Sequence, residues 1–600
     1  MFYVFIVRIT LAIFREGTVL KKGKTRINSL FIFFFLFTFF HSQLGYSATP
    51  SIKPSDLPST VNPEQVTRAL LSEQPAAKPA VARAPIQEEE VPVSSAVGEQ
   101  AKKITFKLKQ IVLTGNQVYS DAELQALFQT EINKLISVAD LFNIIQRITN
   151  YYRNNGYILS RAVLPPQHVQ HGVVHVQIVE GFVNKVNVIG HPRQAEPLLE
   201  RYGNRILQSR PLQLKVMEKY LLIMNEIPGV STRAVLAASK ETPGAADLNL
   251  NTQFRRFSGF FSYDNYGTRY IGPQQATANV GINSLVFSGD SSQLTWVKTP
   301  KGKELNFIDF NYNVPIGKQG LRWTLGRNEA LTNPLYTLQS LVIHGLVDTW
   351  YTTVQYPLIR ARTESVTLQA GFNYLDTRTT SFGALLYQDN IRPINFGGNY
   401  SFLDRFGGSN LMNLNVTQGL PLFGADLDPN STTTSRFGAT ARFLMFDADV
   451  SHLQPMGKAL SLFTLIKGQY AFQPLLASEQ FAFGGSQLGR GYDPAEITGD
   501  NGLAGSAEVR LNLNPKLRFL QSIQLYVFYD AGAVWDIKQI VGTPLRQDAM
   551  STGGGIRFTF NSRVSGNLML AQPLTKKVAA QELIGQGSLP RSFFSIVAML

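Results

Sequence analysis

The chain contains no cysteine. That absence excludes a disulfide scaffold, a thiol nucleophile and any cysteine-based metal site. It also suits a polypeptide that crosses an oxidising compartment before it folds. Long apolar runs are scarce too. Beyond residue 48 no stretch of ~18 apolar residues occurs, which excludes a helical membrane span there. A β-barrel escapes that test, because its strands alternate lipid-facing and lumen-facing residues. Dense positive charge is also missing. The formal charge is +14 over 600 residues, and six Lys/Arg against one Glu in residues 1–48 account for +5 of it. The rest is spread thinly, with no basic block to track phosphates, so no nucleic-acid partner is expected. The seven histidines are scattered, with no His-Glu-x-x-His. His168 and His171 flank a turn and read as surface residues rather than zinc ligands. Gly484-Gly485 and Gly553-Gly554-Gly555 lack the helix and lysine of a phosphate loop, and read as sites of close packing or curvature. No catalytic residue, metal or cofactor is expected, so the chain does not read as an enzyme.

What is present begins with a leader. Lys21, Lys22, Lys24 and Arg26 form a positive region, Ile27 to Phe40 an apolar core, and Ser42 to Ala48 a small, polar end. This is the layout of a cleaved export signal over 1–48. Residues 49–103 are rich in Pro, Ala, Ser and Glu and read mostly as disordered linker. One helix is predicted inside it, over about 62–74. Asn62 caps it, Pro63 fits its first turn, Val66, Ala69 and Leu70 share a face, and Pro75 stops it.

Two α/β units follow. Over 104–181, Ile104–Thr114 reads as a strand and Gly115-Asn116 as a turn. Val138, Leu141, Phe142, Ile145, Ile148 and Tyr152 keep helical spacing, so that face is expected in a core. Asn155-Gly156 ends the helix, and Val173–Val179 is a strand. The order recurs over 182–251. Val183–Ile189 is a strand, Val216, Tyr220, Ile223, Met224 and Ile227 lie on a helix, and Val230–Ala237 and Ala246–Asn251 are strands. Both units follow a β-α-α-β-β plan.

From about 252 to 600 the texture changes to strands and turns. Val366, Leu368, Ala370 and Phe372 alternate with Thr367, Gln369, Gly371 and Asn373. Ala507, Val509, Leu511 and Leu513 alternate with Glu508, Arg510 and Asn512. Ile523, Leu525, Val527, Tyr529 and Ala531 alternate with Gln524, Tyr526, Phe528, Asp530 and Gly532. Such strands have one apolar and one wet face. A soluble sandwich would alternate as well, but the export signal, the length and the 22 Tyr and 40 Phe point to a membrane barrel. The last strand, Phe594, Ile596, Ala598 and Leu600, is apolar on one face and suits a closing stave.

Several separated motifs resemble the transporters of two-partner secretion, the TpsB family, within the wider group of outer-membrane proteins with POTRA domains. Gly156-Tyr157-Ile158-Leu159-Ser160-Arg161-Ala162, Leu164-Pro165-Pro166-Gln167 and Val179-Glu180-Gly181 resemble the first POTRA domain. Asn225 to Val230 resembles a turn of the second, and Asp264-Asn265-Tyr266-Gly267 the opening of the barrel. Phe483-Gly484-Gly485 and Leu488-Gly489-Arg490-Gly491-Tyr492 resemble the sixth outer loop, over about 474–502, with Gly489 where the family usually has Val. Phe528-Tyr529-Asp530-Ala531-Gly532 resembles the family's F-x-D-x-G strand.

The resemblance implies a mainly β chain: a 16-stranded antiparallel transmembrane β-barrel behind two periplasmic POTRA domains. It implies a Gram-negative outer-membrane location, amid lipid and lipopolysaccharide. It also implies that Arg490 folds inward to meet Asp530, and that the helix bearing Val66, Ala69 and Leu70 plugs the lumen. The implied partner is a large unfolded exoprotein of haemolysin or adhesin type, secreted and in some cases activated. An assembly factor for other barrels shares the loop and the POTRA fold, and a porin or surface receptor is the third reading.

Overall fold

A strand in lipid has to satisfy its backbone hydrogen bonds on both edges, and only a closed sheet does so for every strand. The computed structural model describes residues 53–73, 87–88 and 99–600, apart from 191, 301, 516, 518, 540–543 and 583. The export signal and most of the linker therefore lie outside the described residues. Within them the back half of the chain forms a closed antiparallel barrel. Its first strand, Phe257–Asp264, pairs with its last, Arg591–Met599, from Phe260 opposite Met599 to Asp264 opposite Ser595. Ala384–Ile391 and Pro393–Leu403 both pair with Glu364–Ser381, and form one strand interrupted at Arg392. Counted together, they give a barrel of 16 strands.

Sequence alternation sets the two faces. Along Ser522–Trp535, Leu525, Val527 and Tyr529 are exposed on the outer face, while Tyr526, Phe528 and Asp530 are buried on the inner one. An apolar outer face matches hydrocarbon, and a polar inner face matches a wet lumen. Ile343–Arg360 and Glu364–Ser381 have 18 residues each, well beyond the ~9–11 needed to cross a bilayer.

Ahead of the barrel stand two small sheet-and-helix units. In the first, Gln110–Thr114 pairs parallel with Val173–Val179, which pairs antiparallel with Arg161–Val163. The helix Val138–Asn154 covers this sheet and starts at a capping box: Ser137 Oγ accepts from Asp140 N, and Asp140 accepts from Ser137 N. It buries Leu141, Ile144, Ile145, Ile148 and Tyr152. Phe142, expected in the core, is instead 40% exposed, because the buried stripe turns through Ile144. The single strand expected over 104–114 is also broken, into Thr105–Lys107 and Gln110–Thr114. Leu108 N turns to Lys134 O and Lys109 N to Gly172 O, so the backbone changes partner between two sheets.

In the second unit, Val230–Ala238, Ala246–Phe254 and Val183–Gly190 form the sheet under helices Glu196–Leu207 and Leu214–Asn225. Its last strand runs to Phe254, three residues past the expected end, so the turn into the barrel is Arg255-Arg256. Two linker residues, Gln87–Glu88, add a short parallel strand beside Val235 and Leu236.

Candidate functional site

The barrel is not empty. The helix Pro63–Glu73 lies inside it. Asn62 caps this helix, its Oδ1 accepting from Glu64 N at 3.0 Å and Gln65 N at 3.2 Å. Pro63, at the first helical position, has no N–H to leave unpaired. Val66 and Leu70 are buried and Ala69 is half-buried. Val66 and Leu70 pack in one apolar cluster with the wall residues Val297, Phe307, Ala330 and Val347 and with Leu475 and Leu476 of the sixth outer loop. The strand residue beside Pro63 is Gly345; a Cβ there would sit 2.4 Å from the proline ring. The missing side chain is what lets the helix reach the wall.

Polar contacts tie the helix to the sixth outer loop, residues 472–500. Arg68 donates to Glu479 at 2.7 Å. Gln65 Nε2 donates to the carbonyls of Ala477 and Gln480, and Gln487 Nε2 to that of Ser72. Ser59, just before the helix, donates to Ala495 O. Glu64 lies 3.6 Å from Arg68 in the outer mouth. Burial pushes its carboxyl up to about 7, against the pull of Arg68 and with a further push from Glu479.

The loop itself folds into the lumen as a hairpin, Phe481–Phe483 against Ile497–Gly499. At its tip Arg490 meets Asp530 by three hydrogen bonds: Nε to Oδ2 at 3.0 Å, Nη2 to Oδ1 at 2.8 Å, and the backbone N to Oδ2 at 3.0 Å. A planar guanidinium and a carboxylate match in this side-by-side geometry. Arg490 is 5% exposed and Asp530 fully buried. Ser506 Oγ accepts a further bond at 2.8 Å, and the Phe528 ring lies 3.5 Å beneath the guanidinium.

Glu508 completes the set. It accepts from Arg490, from Arg510 at 2.7 Å and from Arg557 at 2.6 Å. One carboxylate thus faces three cations, and Asp530 supplies the second negative charge. The alternation of 507–513 already puts Glu508 on the wet face. Nothing in local sequence pairs it with a loop residue, so its role is not visible there.

The glycines of the tip have separate reasons. Gly489 has φ +69°, and a Cβ there would strike the Phe483 ring at 2.6 Å. A Cβ on Gly532 would strike the same ring at 2.3 Å. Tyr492 is buried, and its hydroxyl donates to Met550 O at 2.8 Å. Asp493 joins Arg591 of the last strand to Thr268 of the first outer loop. The loop is therefore pinned to the wall on both sides of its tip. This geometry can hold a long loop and a helix inside a tube, and release both if the contacts break.

Comparison with known proteins agrees with this architecture. Residues 106–181 match the model of the ShlB-type POTRA domain. The outer membrane transporter CdiB of Dickeya dadantii is 23% identical over 483 residues, 76% of this chain and 81% of the relative. The heme/hemopexin transporter protein HuxB of Haemophilus influenzae (strain 86-028NP) is 24% identical over 558 residues, covering 89% of this chain and 95% of that one. The solved structure of CdiB from Escherichia coli superposes with a TM-score of 0.70 at 19% identity, over 92% of this chain and all of that one. Residues 244–558 match the model of the haemolysin secretion/activation protein ShlB/FhaC/HecB, more than half of the chain. With the barrel, the inward loop and the POTRA unit all present, the chain belongs to the ShlB/FhaC/HecB family and is an outer-membrane transporter of two-partner secretion.

Proposed function

We propose that the two α/β units, over 104–181 and 182–251, stand in the periplasm as paired POTRA domains and capture one large exoprotein. The barrel is then its conduit. The client threads unfolded and folds outside, which prevents its return. The plug helix and the Arg490 loop keep the lumen shut until the client arrives. Lipid and lipopolysaccharide surround the outer face, and nucleic acid plays no part. In this reading the chain acts as a conduit and not as an enzyme.

The observation that carries this reading is the pairing of a sealed lumen with seals held by polar side chains. Arg68 with Glu479, and Arg490 with Asp530 and Glu508, are contacts that a competing polypeptide can exchange. A plain porin keeps its lumen open, which argues against the porin reading. The test is loss of the gene. Surface delivery of one large repeat protein should stop while other barrels keep their normal levels. General depletion of outer-membrane barrels would contradict the proposal and favour an assembly role.

A further inference from the structure

The fifth outer loop, residues 420–443, lies across the outer mouth. Ala439, Ala441 and Phe443 are buried in the apolar cluster that holds Val66 and Leu70 of the plug helix. On one side the loop is stitched to the neighbouring wall strand Ala384–Ile391. Gln388 N donates to Thr433 O at 2.7 Å, Ser435 N to Asp389 Oδ1 at 2.8 Å, and Asn390 N to Asp426.

On the far side the connection runs through Arg436. Its Nη1 donates to Asp500, at the root of the sixth loop, and to Leu475 O at 2.6 Å. Its Nη2 lies 3.1 Å from Asp536, at the start of the seventh loop. Arg436 is 8% exposed and Asp500 fully buried. Asp500 also accepts from Leu475 N and Ile537 N, both at 2.9 Å, so its carboxylate is fixed before Arg436 arrives. Beside it, Ala477 N donates to Ser435 Oγ at 3.0 Å.

We propose that Arg436 is the latch of an outer gate. The loop 420–443 is the gate leaf, hinged on Ala384–Ile391 and closed on Asp500 and Asp536. A polypeptide leaving the lumen has to swing this leaf aside, which exchanges the buried pairs for water. The latch is separate from the Arg490 lock, which holds the tip of the sixth loop against Glu508 and Asp530 on the two strands that follow it. A gate closed by buried charge suits a conduit, because a salt bridge reseals once the chain has passed, whereas a covalent link would not.

This inference rests on the reading of the barrel as a conduit, and two readouts keep the two claims apart. The first is conductance of the full-length protein in planar bilayers, which needs no client. Arg436→Ala should open several-fold more often than the wild type, and Arg436→Lys should restore part of the closure. Equal open frequencies for wild type and Arg436→Ala would overturn the latch. The second readout is export. The chain has no cysteine of its own, so the pair Ser435→Cys with Ala477→Cys can tie the leaf to the sixth loop. Under oxidation export should stop, and a reductant should restore it. Normal export by fully cross-linked protein would overturn the gate while leaving the conduit intact. Failure of the wild type to export its client would remove the conduit alone, since the conductance result stands without it.

Discussion

At the scale of single residues, the account turns on buried charge. Removing one partner of a buried pair leaves the other desolvated and uncompensated, at a cost of ~3–5 kcal/mol. Asp530→Asn should therefore lower the unfolding free energy of the barrel in liposomes by an amount in that range, read as a lower denaturant midpoint. An unchanged midpoint would mean that Arg490 finds equal stabilisation elsewhere. Glu508→Gln should cost at least as much, because it leaves Arg490, Arg510 and Arg557 facing one another. Gly489→Val makes a different demand. The position has a left-handed backbone that a β-branched side chain resists, and the Phe483 ring fills the space a side chain would need. A penalty of ~1–3 kcal/mol is expected, read as faster protease cleavage within 472–500; wild-type cleavage kinetics would refute it. At this scale the sequence was half legible. Alternation put Asp530 and Glu508 on the wet face, where both are. That Arg490 meets Asp530 was implied only by the resemblance of its motif. That Glu508 joins them, and that Arg436 reaches Asp500, depends on backbone folding over long separations, and nothing local encodes it.

At the scale of elements, the plug helix is the part whose stability can be tuned. Its cap is local, so Asn62→Ala should loosen it by ~1 kcal/mol. Its charge depends on the lumen. The docked Glu64 carboxyl, with burial raising it to about 7, holds its proton more tightly than the same group on a free linker. Docking is thus strongest in acid, weakens as pH rises from the ordinary 4.5 to about 7, and levels off above that. Open probability should rise between about pH 5 and about pH 8 and then level off, and Glu64→Gln should flatten that profile. A profile in Glu64→Gln identical to the wild type would rule the carboxyl out. The helix was readable from its own residues, since Asn62, Pro63 and the spacing of Val66 and Leu70 are local signals. The break between Thr105–Lys107 and Gln110–Thr114 was not, because it arises where Lys109 turns to Gly172. Arg392, where one barrel stave is interrupted, gave no signal either. Its side chain bonds back to the carbonyls of Leu375 and Ile391 and lies 3.4 Å from the Tyr374 ring, partners that pattern alone does not reveal.

At the scale of the whole molecule, period-two patterning was enough to announce a sheet with one wet face, and closure follows from the lipid around it. What patterning could not announce is how full the lumen is. The helix enters from the linker, the sixth loop folds in from outside, and the fifth loop lies over both. The helix and the tip of the sixth loop are held by side chains, and the fifth loop, beyond its roots, is tied by its backbone to one wall strand only, so the tube can open without unfolding. The most direct check is ion conductance of purified protein in planar bilayers before and after deletion of residues 62–74. The deleted protein should conduct steadily at a level the intact protein reaches only in brief openings. Indistinguishable conductance in the two proteins would contradict the account of a plugged conduit.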